Sequence, residues 1–249
     1  MVVDDGSIVA SYRSACDYAK IDQRVRAYTQ PNGGACAARN QAVRLAKGEF
    51  ILPFDADDKM SETFVSDAVH VILSDMKIKA VCPRAEYFGN RKGEWKLPPF
   101  SRKLLARKNM IPICAMYRKS DWERVGGYDK HIVAREVWAF WIAMLKDGGK
   151  VVTLSRVSVF YRVRTGSKRV SDRSLKKNLI DALNARHPEF FERELGGPLH
   201  YCRSWSVLLN RIYRLFHPRK IYVASDFCTL TDYVKALPAL FKYDYGTVI

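Results

Sequence analysis

The densest chemistry in this 249-residue chain lies at Asp55-Ala56-Asp57-Asp58, directly after the apolar run Phe50-Ile51-Leu52-Pro53-Phe54. Two carboxylates at alternate positions beyond a strand can point into one pocket and share a divalent cation. Hard oxygen ligands suit Mg2+ or Mn2+, and the cation's remaining positions suit diphosphate oxygens. Such a cation neutralises the charge that builds on a departing nucleoside diphosphate. A solvated acidic turn or helix N-terminus would also favour carboxylates, and the four residues alone leave both readings open. A second acidic pair, Asp4-Asp5, follows Val2-Val3 and precedes Gly6-Ser7.

The surrounding pattern explains how two such pairs can be positioned. Val2-Val3 reads as the end of a buried strand, 8–21 as a helix, and Arg24–Tyr28 as a short strand. Pro31-Asn32-Gly33-Gly34 is a turn and Ala35–Lys47 a helix, with Gly48 as its stop. Glu49–Phe54 is the next strand. Ser61 is a candidate cap for a helix whose apolar stripe is Phe64, Val65, Ala68, Val69, Ile72 and Leu73. Strands alternating with helices predict an α/β fold with a mostly parallel sheet covered on both faces. In such sheets ligands bind beyond the C-terminal strand ends, which is where both acidic pairs fall.

The later pattern is less regular. Ala80–Phe88 reads as a strand, Gly93–Lys103 as a loop and Ser120–Val125 as a short helix before a Gly126-Gly127-Tyr128 turn. Arg135–Leu145 is a helix with Trp138, Trp141, Ile142 and Leu145 on one side, and Val151–Val163 is one or two strands. Helical patterns follow at 171–185, Cys202–Phe216 and 229–241. The expected division is a domain over 1–165 and a basic helical extension over 166–249.

Composition narrows the function classes. Apolar residues make up 48%, enough for a sizeable core. The longest apolar run, Val137–Leu145, is too short to cross a bilayer as a helix, and no signal peptide is visible. Six scattered cysteines without a Cys-x-x-Cys pair argue against a zinc site and suit a reduced, cytoplasmic chain. The formal charge of +16 favours anionic partners, from nucleotides to phospholipid head groups. No RNA-binding signature, zinc finger or helix-turn-helix supports nucleic acid as the partner. No Gly-x-Gly-x-x-Gly follows a strand, which disfavours a dinucleotide-dependent oxidoreductase.

Taken in order, Val2–Ser7, Asn32–Asn40, Ala46–Leu52 with Asp55–Asp58, Val125–Asp129, and Tyr161-Arg162 resemble the nucleotide-binding half of family 2 glycosyltransferases. The resemblance covers roughly residues 2–165; each motif is weak and the ordered set is specific. It implies a GT-A fold with a mixed, mostly parallel sheet. It also implies an inverting, metal-dependent transfer from a nucleotide-sugar, here expected to be a UDP-sugar, to a bacterial surface glycan or lipid-linked acceptor. By this resemblance Asp4 and Asp5 contact base and ribose, Arg39 approaches the donor diphosphate, and Asp55 and Asp57 form the metal-binding pair with Mn2+ or Mg2+. Arg162 joins the donor-binding set. Read without the resemblance, Arg39 is a helix-surface arginine.

The sequence departs from the family pattern at three places. The family's Glu-Asp pair before a Trp is here Glu136-Val137-Trp138. Valine takes no proton, so Glu136 is the catalytic-base candidate, although a shift of one helical position turns a side chain by about 100°. Arg164 stands where many relatives carry a histidine near the metal; it can contact phosphate or sit on a solvated strand. Relatives also have a strand, a loop and a helix before the Asp-Asp-Gly-Ser motif, so a truncated chain lacking a central strand is expected. A catalytically impaired nucleotide- or glycan-binding fragment is the alternative function.

Trp205–Lys220 mixes apolar residues with Arg211, Arg214, Arg219 and Lys220. A basic amphipathic helix of this kind either lies on an anionic membrane, at the inner face of the cytoplasmic membrane, or packs on the protein with its basic side exposed. Residues 217–249 faintly resemble the start of lipopolysaccharide-core kinases, without a kinase motif, which points toward lipopolysaccharide assembly.

Overall fold

The structure, a computed structural model, describes residues 1–7, 11–132, 135–164 and 173–217. The chain divides into two compact units, Met1–Ser171 and Asp172–Ile249.

In the first unit, β1 (Val2–Asp4) and β2 (Ala27–Thr29) form a parallel pair around the crossover helix α1 (Ser11–Ile21). Helix α2 (Gly34–Leu45) leads to β3 (Phe50–Ile51). Its stop differs from expectation: Ala46 takes an extended conformation and Gly48 has no left-handed φ, so the helix ends before Lys47. Then come β4 (Lys59–Met60) and α3 (Phe64–Ser74). Thr63 occupies the N-cap of α3 and no side chain caps it, while Ser61 accepts the Phe64 N–H through its backbone carbonyl.

Strand β5 (Ile78–Gly89) follows, then β6 (Gly93–Trp95) and α4 (Arg102–Leu105), which replace the expected loop. The short β7 (Tyr117–Arg118) leads into α5 (Lys119–Val125), α6 (Glu136–Leu145) and the 14-residue β8 (Lys150–Val163). Two of the five strand pairings are parallel, β1 with β2 and β5 with β8; β3–β7, β4–β8 and β5–β6 are antiparallel. The ladder between β5 and β8 slips at Cys82/Arg84, flanking Pro83. Proline has no N–H to donate, so a central strand accommodates it at an irregularity.

These pairings make three sheets, β1-β2, β3-β7 and the mixed four-stranded β4-β8-β5-β6, and the core forms where α3 covers the last of them. Phe64, Ala68 and Ile72, spaced four apart, are buried against Ile78, Val81, Ala85, Met116 and Val159. Val65 and Leu73 are exposed, so the stripe is narrower than the six positions expected. Helix α6 shows the opposite deviation: Trp138, Phe140, Trp141, Ile142, Met144 and Leu145 are all buried, on more than one side. Arg118 is buried with its guanidinium donating to the carbonyls of Ile72 and Ile78, which satisfies the end of α3 and the start of β5.

The second unit contains α7 (Arg173–Arg186), α8 (Pro188–Leu195) and, after a 3-10 turn, α9 (Ser206–Phe216). Asn184 exchanges two hydrogen bonds with the Leu199 backbone, and Asn210 donates to the carbonyls of Leu195 and Pro198. The expected helix at 229–241 and the kinase-like segment from 218 onward lie outside the described residues. No described helix is long and apolar enough to cross a membrane.

Candidate functional site

Asp4 sits at the tip of β1, buried, and its Oδ2 accepts the Ser7 N–H at 3.1 Å, closing the turn that the sequence predicted there. Gly6 in that turn has φ +71°, and a Cβ would meet Asn32 N at 3.1 Å, so glycine is required both for conformation and for space. Asp5 Oδ1 accepts from Gln30 Nε2 at 2.7 Å and from the Gly33 N–H at 2.9 Å. Asp5 therefore ties the β1 tip to the residue that caps α2.

Helix α2 carries Arg39 into the centre of the site. Its Nη1 donates to Glu136 Oε1 at 2.9 Å, and its Nη2 lies 3.3 Å from Asp55 Oδ1. The guanidinium also stands 5.9 Å from the Tyr128 ring centroid. Only a fifth of the arginine side chain is exposed. Burial works against its charge, yet Asp55, Tyr128 and Glu136 outweigh that and hold its pKa above the ordinary value. Arg39 is thus a hub between the loop beyond β3, a strand that ends at Ile51 instead of the expected Phe54, and the first turn of α6, in place of a helix-surface arginine.

The next residue fixes the hub's orientation. Asn40 Nδ2 donates to the Tyr128 carbonyl and its Oδ1 accepts the Tyr128 N–H, both at 2.8 Å. Gly126 and Gly127, with φ of +78° and +77°, make the turn possible, and a Cβ on Gly127 would meet Asn40 Oδ1 at 2.6 Å. Local pattern gives no sign of this clamp, because an asparagine inside a helix reads as neutral and the Gly-Gly-Tyr segment reads only as a turn.

Each member of the acidic cluster has an arginine neighbour. Asp57 Oδ2 lies 3.2 Å from Arg164 Nη2. Asp58 Oδ1 accepts the Arg162 N–H at 2.8 Å, and Arg162 Nε donates to the Asp57 carbonyl at 2.9 Å. The Arg162 guanidinium then rests over the Phe88 ring, 4.9 Å from its centroid. Burial, joined by the charges of Asp55 and Asp57, pushes Asp58 up to about 6 against the pull of the Arg162 hydrogen bond.

The site residues expected from sequence fall into two groups. Asp55, Asp57, Arg39, Glu136 and Arg162 share one network with Asp58 and Arg164. Asp4 and Asp5 stand at the start of α2, and among the described residues no hydrogen bond or ion pair joins them to Asp55–Asp58; α2 is the link.

The cluster suits a hard divalent cation by its chemistry. Asp58 Oδ2 is buried and has no hydrogen-bond partner, and a cation would satisfy it while relieving the repulsion from Asp55 and Asp57. Among the described residues no three His, Cys, Asp or Glu side chains form a ready cation cage, so phosphate oxygens or water would have to complete the coordination. A cavity of about 390 Å³, between Lys79, Arg124 and Gly149, includes none of these residues.

The solved structure of Staphylococcus aureus TarS residues 1–349 with UDP-GlcNAc superimposes at a TM-score of 0.61, over 93% of this chain and 67% of that one, at 17% identity. The mannosyltransferase PcManGT from Pyrobaculum calidifontis, in complex with GDP-Man and Mn2+, gives 0.52 over 97% and 71%, at 16% identity. These likenesses identify the GT-A fold. In sequence, the Escherichia coli UDP-Glc:alpha-D-GlcNAc-diphosphoundecaprenol beta-1,3-glucosyltransferase WfaP is 27% identical over 188 residues, covering 69% of this chain and 71% of that protein. Other curated relatives are much longer than the match, the chain spanning 17% of one from Bacillus subtilis and 34% of another from E. coli. The family model described as glycosyl transferase family 2 matches residues 1–129, just over half of the chain. The chain therefore belongs to glycosyl transferase family 2.

Proposed function

We propose that this chain transfers a sugar, with inversion, from a UDP-sugar to a lipid-linked or surface glycan of a bacterial envelope. The observation that carries the proposal is the Arg39 hub, which joins Asp55 in the loop beyond β3 to Glu136 at the start of α6 within hydrogen-bond reach. Asp4 and Asp5 would receive the nucleoside at the β1 tip. Arg39, with Arg162 and Arg164 close by, would bind the diphosphate oxygens. Asp57 and Asp55 would hold Mn2+ or Mg2+, which when bound offsets charge on the leaving diphosphate. Glu136 would take the proton of the attacking acceptor hydroxyl. UDP-GlcNAc in TarS and UDP-Glc in the name of WfaP support the donor class, and the diphosphoundecaprenol in that name supports a lipid-linked acceptor.

Residues 1–165 are assigned the catalytic role and 166–249 that of a basic extension. Trp205 of the 3-10 turn and Leu208, Leu215 and Phe216 of α9 are exposed, while Ser206, Asn210 and Tyr213 are buried. The exposed apolar set, with Arg211 and Arg214 alongside, supports a peripheral contact with anionic lipid at the inner face of the cytoplasmic membrane.

A second reading is a nucleotide- or glycan-binding protein without transfer activity, favoured by the engagement of Glu136 with Arg39 and by Val137. Titration of UDP and GDP with and without Mn2+, repeated on Asp57→Ala, tests the donor site: Mn2+-dependent UDP binding lost in the variant is expected. Equal binding by the variant refutes the metal assignment. UDP release from a UDP-sugar then separates the enzyme from the binder.

A further inference from the structure

The end of the β5–β8 ladder away from the donor network gathers cations. The donor network occupies the end where Phe88 pairs with Arg162. At the other end Ile78 pairs with Lys150, ten residues earlier on β5 and so roughly 30 Å away along the strand. There Lys77, Lys79, Arg124 and Lys150 line the cavity of about 390 Å³, together with the carboxylate of Asp147.

Two of these cations are held from behind by one buried carboxylate. Asp121 accepts Lys79 Nζ on both oxygens, at 2.9 and 3.0 Å, with only 6% of its side chain exposed. The same Oδ1 receives Arg124 Nε and Nη2, each at 3.3 Å, and Nη2 also reaches the Met144 carbonyl at 3.4 Å. Lys150 is set by Asp75 at 2.7 Å. Gly149 makes room for the arrangement: a Cβ there would meet Lys79 Cγ at 2.5 Å, and its φ of +110° favours glycine.

These contacts leave donors over. A guanidinium carries five N–H groups and an ammonium three. Among the described residues none accepts from Arg124 Nη1 or from the Lys77 ammonium, and Asp121 takes two of the three Lys79 protons. A guanidinium edge with paired N–H groups beside compact ammonium charges suits a phosphate. Another part of the wall is apolar, with Met144 buried and Met76 exposed. The volume falls inside the ~300–1,000 Å³ range of ligand pockets.

We propose that this cavity is a second ligand site and binds a phosphomonoester, its phosphate on Arg124, Lys79 and Lys77 and its organic body against Met76 and Met144. A soluble sugar or glycerol phosphate and a phospholipid head group share that chemistry.

The test uses the full chain labelled with carbon-13 methyl methionine. Of the six methionines, Met76 and Met144 report the cavity, while Met110 and Met116, buried and outside its lining, report the fold. Met76→Leu and Met144→Leu identify the two cavity signals. Glycerol 3-phosphate and dihexanoyl phosphatidic acid, kept below its micelle concentration, are titrated against sodium chloride at matched ionic strength. Saturable movement of the Met76 and Met144 signals by a phosphomonoester and not by chloride is expected. Arg124→Gln should weaken that binding roughly tenfold, about the value of one charge-assisted hydrogen bond. Lys77→Gln, at an exposed position, should weaken it too and serves if the Arg124 variant does not fold. Equal affinity for the two compounds supports a soluble ligand, and tighter binding of the dihexanoyl compound supports a lipid. The site is overturned if neither compound moves the cavity signals or if chloride moves them equally. An unchanged response in the folded variants overturns it as well.

Discussion

Replacing Glu136 by glutamine separates a chemical role from a scaffolding one, because the structure sets the cost of each. Glu136 Oε1 receives Arg39 Nη1 at 2.9 Å, and about a fifth of each side chain is exposed. Glutamine keeps the size and one carbonyl acceptor for that bond, and removes the charge. A charge-assisted hydrogen bond is roughly twice as strong as a neutral one, so the expected loss is about 1–1.5 kcal/mol. For a protein of this size that lowers the thermal midpoint by roughly 3–6 °C. Arg39 keeps Asp55 as its second partner, so UDP affinity in Mn2+ should change by less than about fivefold.

A missing general base has a different signature: turnover should fall about 10²–10⁴-fold, equivalent to ~3–5.5 kcal/mol of barrier. The measurements are UDP release from UDP-glucose with methyl α-N-acetylglucosaminide present, UDP calorimetry, and a melting curve on the same preparation. A large loss in kcat with near-normal UDP affinity and a small melting shift supports Glu136 as the base. Parallel, modest losses in affinity and kcat would mean that Glu136 only orients Arg39. Full turnover by a folded Glu136→Gln protein would transfer the role to another residue.

Three other outcomes are expected. Asn40→Ala leaves the Tyr128 N–H and carbonyl without their partner inside the protein; the expected cost is about 2–4 kcal/mol, read as a lower urea midpoint with unchanged slope. His200 is held below its ordinary pKa by burial, only partly offset by its hydrogen bond to Asn210. The unfolded chain therefore binds that proton more readily, and stability is lost as pH falls through about 6.5. Melting curves from pH ~7.5 to ~5.5 should show this loss, and His200→Gln should make it smaller; an unchanged pH slope refutes the assignment. The exposed apolar side of α9 should carry the chain to the top of a flotation gradient with phosphatidylglycerol vesicles. It should do so far less with phosphatidylcholine, and less still at high salt or in Leu208→Glu; equal flotation with both lipids contradicts the electrostatic part of the proposal.

The legible parts of the sequence were those set by local chemistry. The Asp-Asp-Gly-Ser turn, the α2 segment and the acidic cluster beyond β3 follow from strand, turn and helix signals within a few residues of each other. The end of α2 was misplaced because glycine at 48 suggested a left-handed stop, whereas the chain simply extends at Ala46. The packing of Tyr87, Trp95 and Tyr161 against one another was invisible for a different reason. Tyr87 and Tyr161 become neighbours only through a ladder that joins segments about 70 residues apart, and Gly93–Trp95 looks like a loop until β5 pairs with it. The same holds for Asn40, whose two bonds reach residue 128.

Charge explains why the candidate site needs those distant contacts. Three carboxylates within four residues repel one another, and the elevated pKa of Asp58 reflects burial together with that repulsion. The fold answers with Arg39 beside Asp55, Arg164 beside Asp57, and the Arg162 N–H on Asp58. Asp55 and Asp57 each keep about two fifths of the side chain exposed, so solvent screening holds the two ion pairs to about 0–1 kcal/mol. Weak, partly wet pairs exchange partners readily. On the proposed reading, an incoming diphosphate would offer the guanidiniums a bidentate acceptor stronger than an exposed carboxylate, and a hard cation would give the freed carboxylates a better partner than arginine. Arg39, Arg162 and Arg164 would then act as counter-charges that hold the acidic cluster together until an anionic ligand takes their place.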